Sequence, residues 1–140
     1  MDDLRRAKEL LKADGCTCAL VLGDYEKTSN RNGIAPLLEL LGDGVDKAGS
    51  SVADKIVGKA AALLYALMGV KRVYAEVLSE AGREILFAYE IEAEYDTLTD
   101  RILNRKGDGP CPMEKAVENC SDPAAAKEIL TATLERLRKG

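Results

Sequence analysis

The stretch SVADKIVGKAAALLYALM, residues 51–68, decides the fold that we predict for this chain. From position 56 onward, only one glycine and one lysine interrupt its apolar residues. A helix that is apolar on all sides is buried on more than one side, and a serine followed three residues later by an acid is typical of a helix start. We therefore expect one buried helix over 51–68. Its polar residues lie near the N-terminal end: Asp54, Lys55 and Lys59.

Helices and strands alternate on both sides of this stretch. Apolar residues at helical spacing predict helices over 3–13, 36–41, 80–88 and 112–119, a helical turn over 99–103, and a last helix from 122–123. Continuous or alternating apolar residues predict strands over 16–22, 25–29, 71–79 and 91–96. The first two strands form a hairpin around Gly23-Asp24. This order predicts an α/β fold with a mixed sheet of four or five strands and helices on both faces.

The amino-acid composition excludes several classes of function. A chain of 140 residues with 46% hydrophobic and 31% charged residues is typical of one soluble domain. Histidine is absent, which excludes histidine bases, Ser-His-Asp and Cys-His nucleophiles, and imidazole metal sites. The net charge of −4 supplies no cationic field for nucleic acid. We therefore expect no nucleic-acid partner.

The compartment is predicted to be the cytoplasm. The first residues lead directly into a helical pattern without the features of a signal peptide. The longest apolar stretch, 60–70, is shorter than the ~20 residues that cross a bilayer, so no membrane association is expected. Four cysteines in a reducing compartment are expected to be thiols, and their spacing does not match a zinc ribbon.

Three polar segments are expected to meet at the carboxyl ends of the strands, where such folds bind ligands. They span 30–33, 49–59 and 104–114. Lys55 and Lys59 are four residues apart, so on a helix they would share one face near its positive end. One interpretation is an anion site built from N–H groups and lysines; the other is two lysines that cover apolar surface. A P-loop is excluded because its first glycine and its Ser/Thr are both replaced by alanine.

Cys111 precedes a proline at the start of a predicted helix, a position where a helix favours the thiolate. It is either a nucleophile or redox-sensitive thiol, or a passive small residue in a tight turn. Without histidine, its activation would come from the helix or from Lys59. The candidate catalytic residues are Lys59 and Cys111, and the candidate ligand-binding residues are Gly33, Asp54, Lys55, Gly58, Asn104, Arg105 and Glu114.

Two motifs carry a resemblance to a known family. They are Gly58-Lys59-Ala60-Ala61-Ala62 and the run from Asn104-Arg105 to Cys111-Pro112-Met113-Glu114. The chain resembles a small family of unknown function with the cytidine-deaminase-like fold. The resemblance covers nearly the whole chain and implies a three-layer α/β/α sandwich, one deaminase-like domain over residues 1–140.

The resemblance also implies which chemistry has been lost. True deaminases of this fold place His-x-Glu or Cys-x-Glu at one helix start and Pro-Cys-x-x-Cys at the next. Here Lys59-Ala60-Ala61 aligns with the first motif, and Ser79-Glu80-Ala81-Gly82 contains no cysteine pair. Zinc, its activated water and the general acid–base glutamate would be lost together. We therefore expect no metal, no cofactor and no deaminase activity.

The leading hypothesis is a zinc-independent protein that binds a small anionic or nucleotide-like ligand at the N-terminus of the central helix. Metal-free catalysis would use Lys59 or Cys111. One alternative is a non-enzymatic regulatory or assembly subunit, associating as a homo-oligomer or heteromer through an apolar helix face. Another is a redox sensor that uses Cys111.

Overall fold

The computed structural model describes residues 2–13, 15–31, 33–103, 107, 109 and 111–139. Within these residues the strands are β1 (Cys18–Leu22), β2 (Tyr25–Ser29), β3 (Ser51–Val57), β4 (Arg72–Ser79) and β5 (Glu92–Thr99). The helices are α1 (Asp3–Ala13), α2 (Ala35–Gly42), α3 (Lys59–Met68), α4 (Glu80–Ala88), α5 (Pro112–Ala116) and α6 (Pro123–Lys139). Every helix among the described residues is too short or too polar to cross a lipid bilayer.

The strands form one mixed sheet in the order β2-β1-β3-β4-β5. β1 is antiparallel to both β2 and β3, whereas β3, β4 and β5 are parallel. The predicted hairpin is confirmed: the turn at Gly23-Asp24 sets Leu22 opposite Tyr25. The mixed α/β sheet is likewise confirmed, with five strands in the described part of the chain.

The prediction of a single helix over 51–68 is wrong. The stretch divides at Gly58 into the central strand β3 and the helix α3. A strand between two neighbours and covered on both faces is almost continuously apolar, as is a buried helix, so the pattern does not distinguish them. Ser51 and Asp54 are therefore not a helix cap: they pair in β3 with Val21 and Cys18 of β1.

Helices cover both faces of the sheet. On one face α1 packs, with Ala7 and Leu11 buried against Ala53 of β3 and Tyr74 of β4. The other face carries the larger core, to which α2, α3, α4, α5 and α6 all contribute buried side chains. The arrangement of α1, the sheet and the other five helices confirms the predicted three layers.

The elements with clear periodicity lie where they were predicted. α1 and α4 have the predicted bounds, and α5 begins at the predicted proline but ends at Ala116. The helical turn predicted over 99–103 is wrong, because β5 extends to Thr99 and Leu103 forms an isolated bridge.

Candidate functional site

A cleft of about 790 Å³ opens beside the carboxyl end of β3. Its lining comes from the loop before β1, the start of α2, the second half of β3, the start of α3, α5, and the last turns of α6. We call it the Asp54 cleft, after the buried carboxylate in its lining. The described residues from the predicted site that line it are Gly33, Asp54, Lys55, Gly58, Cys111 and Glu114. Asn104 and Arg105 lie outside the described residues.

Lys59 does not line the Asp54 cleft. It is the first residue of α3, and its amine donates to the carbonyl of Glu118 at 3.0 Å. Its side chain lines a separate cavity of about 450 Å³ beside the start of α4. The expectation that Lys55 and Lys59 share a helix face is wrong, since Lys55 belongs to β3. A catalytic role for Lys59 stays a prediction, and its amine does not lie with Cys111 in one cavity.

The N-terminus of α3 already holds an anion, the side chain of Glu114. Its Oε1 accepts from the backbone N–H of Lys59 and its Oε2 from that of Ala60, each at 2.7 Å. A carboxylate there is favoured by the unpaired N–H groups and the helix dipole. Gly58 makes this contact feasible, because a Cβ at that position would lie 2.2 Å from Oε1. The position predicted for an anionic ligand is therefore occupied by the protein itself.

Asp54 lies on the inner wall of the cleft, only 8% exposed. The hydroxyl of Tyr65 in α3 donates to its Oδ2 at 2.5 Å, and the N–H of Ile56 donates to Oδ1 at 3.4 Å. Burial raises the pKa of Asp54 to about 6, although these two hydrogen bonds and one from the backbone of Lys55 act in the opposite direction. The carboxyl group therefore changes its protonation state near pH 6, well above the range of an ordinary aspartate.

The thiol of Cys18 faces Asp54 across the β1–β3 pair. Burial, together with the negative charge of Asp54, raises the pKa of this thiol to about 12. Cys18 is consequently a neutral thiol in the cleft wall, a weak hydrogen-bond donor rather than a nucleophile.

The mouth of the cleft combines cations with apolar side chains. Arg31 and Lys55 are both exposed, and Arg31 pairs with Glu39 at 2.5 Å. Three large apolar side chains at the mouth are also exposed: Ile56 by 54%, Leu103 by 48% and Leu137 by 47%. The walls farther in are apolar, so the cleft is a mainly apolar space with one buried acid and a partly cationic rim.

Sequence reasoning missed two participants. Cys18 was expected only to be one of four thiols, and Tyr65 is the one residue with a hydroxyl in an otherwise apolar run. A tyrosine in such a run usually needs a partner for its hydroxyl, which is a signal that a polar group lies nearby. Asp54 can be identified as that partner only when the stretch 51–68 is divided at Gly58 into a strand and a helix. In one continuous helix, Asp54 and Tyr65 would lie too far apart along the axis to form a hydrogen bond.

The described residues do not fit the zinc ion that true deaminases hold in the fold this chain resembles. Across the described part of the chain, no three His, Cys, Asp or Glu side chains converge to hold a metal. Lys59 begins α3, and the adjacent N–H groups are bound by Glu114. At the start of α4, a Cβ on Gly82 would lie 2.9 Å from the carbonyl carbon of Gly58. The two helix starts are therefore in close backbone contact.

A family model described as TM1506, a domain of unknown function (DUF1893), matches residues 6–134. The chain belongs to the DUF1893 family. The predicted membership in a family of unknown function is thus confirmed. No curated protein matches this DUF1893 chain.

Two solved structures are similar to the DUF1893 chain. The crystal structure of a DUF1893 family protein (TM1506) from Thermotoga maritima has a TM-score of 0.83 and 29% identity, covering 96% of this chain and 89% of that one. An apo dCMP deaminase from the cyanophage S-TIM5 has a TM-score of 0.45 and 15% identity, covering 66% of this chain and 93% of that one.

Proposed function

We propose that this DUF1893 protein binds a small anionic or nucleotide-like molecule in the Asp54 cleft. The observation that carries the proposal is the buried carboxylate of Asp54 in the wall of an open, mainly apolar cleft. A buried carboxylate is unfavourable for stability unless its charge is well compensated. Perturbed acids in clefts are therefore candidates for binding or catalysis.

The size and lining of the cleft support a small molecule as the ligand. Ligand sites typically have volumes of roughly 300–1,000 Å³ and are apolar apart from a few convergent polar groups. The cleft, at about 790 Å³, lies within that range. A planar, base-like group would pack against the side chains of Ile34, Leu37 and Met113, which line it.

The cationic rim accounts for the negative charge of the proposed ligand. Within the described residues, the ammonium of Lys55 forms no ion pair and Arg31 pairs with the exposed Glu39. A phosphate or carboxylate at the mouth would bind these two groups, whereas the N-terminus of α3 is taken by Glu114. The proposed anion position is therefore beside the helix start, not on it.

A metal-free reaction at this site would use Cys111. Cys111 occupies the N-cap position of α5, and its partly exposed side chain belongs to the cleft lining. Cys18 is the other thiol in the lining, but it is buried. Catalysis stays a prediction, and the binding proposal does not depend on it.

Isothermal titration calorimetry with CMP, AMP, ribose 5-phosphate and inorganic phosphate tests the proposal. We expect at least one of these probes to bind the wild type, and Lys55→Ala to weaken that binding about tenfold, the loss of roughly one charge-assisted contact. Lys71→Ala, which removes an exposed cation outside the cleft, serves as the matched control. Absence of binding by all four probes, or equal losses in both variants, would refute the proposal.

A further inference from the structure

We propose that the inner end of the Asp54 cleft recognises a hydrogen-bond donor on the ligand, an amino or ammonium group, with Asp54 as the acceptor and Tyr65 as the residue that positions it. The inference rests on the proposed function and adds to it the chemistry of the ligand's buried end. The ligand would then carry its donor inward and its negative group outward, toward Arg31 and Lys55.

The carboxylate of Asp54 has unused acceptor capacity. Two carboxylate oxygens offer about four acceptor positions. Tyr65 occupies one position on Oδ2 at 2.5 Å. The contact of the Ile56 N–H with Oδ1 at 3.4 Å is longer than the usual 2.7–3.2 Å for such bonds, and is therefore weak. The backbone N–H of Lys55 also donates to this carboxylate, so about one acceptor position remains for a donor that enters the cleft.

No cation of the described chain neutralises Asp54. The ion pairs of the described residues do not include it, and the side chain of Lys55, the next residue on β3, is exposed. The charged group on β4 that acts on it is another acid, Glu76. An ammonium or amino group from a ligand would supply the compensation that the protein does not.

Tyr65 is built to orient this carboxylate. Tyr65 belongs to α3 and is 1% exposed, so its ring lies within the apolar core. Its hydroxyl donates to Asp54. A buried hydroxyl that loses its partner is unfavourable, so this bond restrains the carboxyl group in one orientation. Tyr65 does not line the cleft, and it therefore acts through Asp54 rather than on the ligand.

The protonation of Asp54 sets the pH dependence of donor recognition. The titratable and charged groups around it are Cys18 on β1, Glu76 on β4, Tyr65 on α3, Glu114 on α5, and the rim cations Arg31 and Lys55. Burial raises the pKa of Asp54 to about 6. Below that pH the group is mainly protonated and loses its charge, so binding of a donor weakens as the pH falls from 7 to 5.

Three probes with one ring and different polar ends test the inference: benzylamine, benzyl alcohol and benzoate. Their binding is followed by ¹⁵N NMR titration at pH 7. We expect benzylamine to bind more tightly than benzyl alcohol, and benzoate to bind at the rim or not at all. Asp54→Asn should weaken benzylamine binding at least tenfold, while Asp24→Asn, an equal charge change on the exposed hairpin turn, should leave it unchanged.

Tyr65→Phe separates positioning from packing, because it removes only the hydroxyl. Loss of that hydrogen bond should move the midpoint of the benzylamine pH profile to higher pH, which a purely structural role would not do. The pH profile of the wild type keeps the test decisive if Asp54→Asn does not fold: binding that is flat between pH 5 and 7 overturns the inference.

The inference and the proposed function fail in different ways. If CMP or another phosphate probe binds the cleft but benzylamine does not, or if Asp54→Asn leaves benzylamine binding intact, donor recognition is wrong and the binding function stands. If no probe of either series shifts resonances of the cleft residues, both are wrong.

Discussion

Replacing Gly58 by alanine is expected to lower the free energy of unfolding by about 2–4 kcal/mol. The backbone of Gly58 is extended, with φ −108° and ψ −168°, so alanine adopts it without strain. The new Cβ would lie 2.2 Å from Oε1 and 2.5 Å from Cδ of Glu114. The carboxylate must move, and it loses its bonds to the N–H groups of Lys59 and Ala60.

The magnitude follows from these two bonds. Hydrogen bonds to a charged group contribute about 1.5–3 kcal/mol each. Water reaches the half-buried Glu114 and replaces part of that loss. A glycine-to-alanine change in a compatible conformation restores about 0.4–1 kcal/mol by restricting the unfolded chain. Urea unfolding, with the slope m checked for constancy, measures the difference.

The contact with Glu114 is tested by a double-mutant cycle. In the background of Glu114→Ala the clash is absent, so Gly58→Ala should be neutral or slightly stabilising, and the coupling energy should be about as large as the single effect. Gly42→Ala is the matched control, because a Cβ there meets nothing within 4 Å. Equal destabilisation by Gly58→Ala with and without the Glu114 carboxylate would refute the reasoning.

Three further outcomes are expected. Because the pKa of Asp54 is raised in the folded state to about 6, the folded protein binds the proton more tightly than the unfolded chain does. This group therefore lowers the free energy of unfolding as the pH rises from about 4 to 6, and urea unfolding of Asp54→Asn should lack that decline. Leu64→Ala should lower the free energy of unfolding by about 2–5 kcal/mol because the side chain is fully buried, whereas Phe87→Ala, at 85% exposure, should change it little. In the native protein a thiol reagent should modify Cys111 quickly and the buried Cys18 only after unfolding. Mass spectrometry of the labelled peptides measures both rates of modification, and equal rates for the two thiols would contradict the prediction.

The elements that could be predicted are those with one face in water. α1 and α4 alternate apolar and polar residues at helical spacing, and their bounds agree with the prediction. The hairpin carries a local turn signal at Gly23-Asp24. In each case the deciding interactions join residues only a few positions apart, so the pattern contains the information.

The stretch 51–68 could not be divided in this way. β3 is paired on both sides and α3 is almost entirely buried, so neither shows a clear alternation of apolar and polar residues. The start of α3 after Gly58 is bound by the carboxylate of Glu114, 55 positions away from Lys59. No local rule contains that contact.

Composition and local pattern were sufficient to exclude histidine chemistry, to predict a mixed α/β sandwich, and to select several residues that line one cleft. Only the folded chain decided which functional groups meet: Glu114 with the start of α3, Asp54 with Tyr65, and Lys59 outside the cleft. The physical reason is that helices and strands are selected by neighbouring residues, whereas a site depends on how distant elements pack. A change from helix to strand over seven residues is enough to change which side chains face one another.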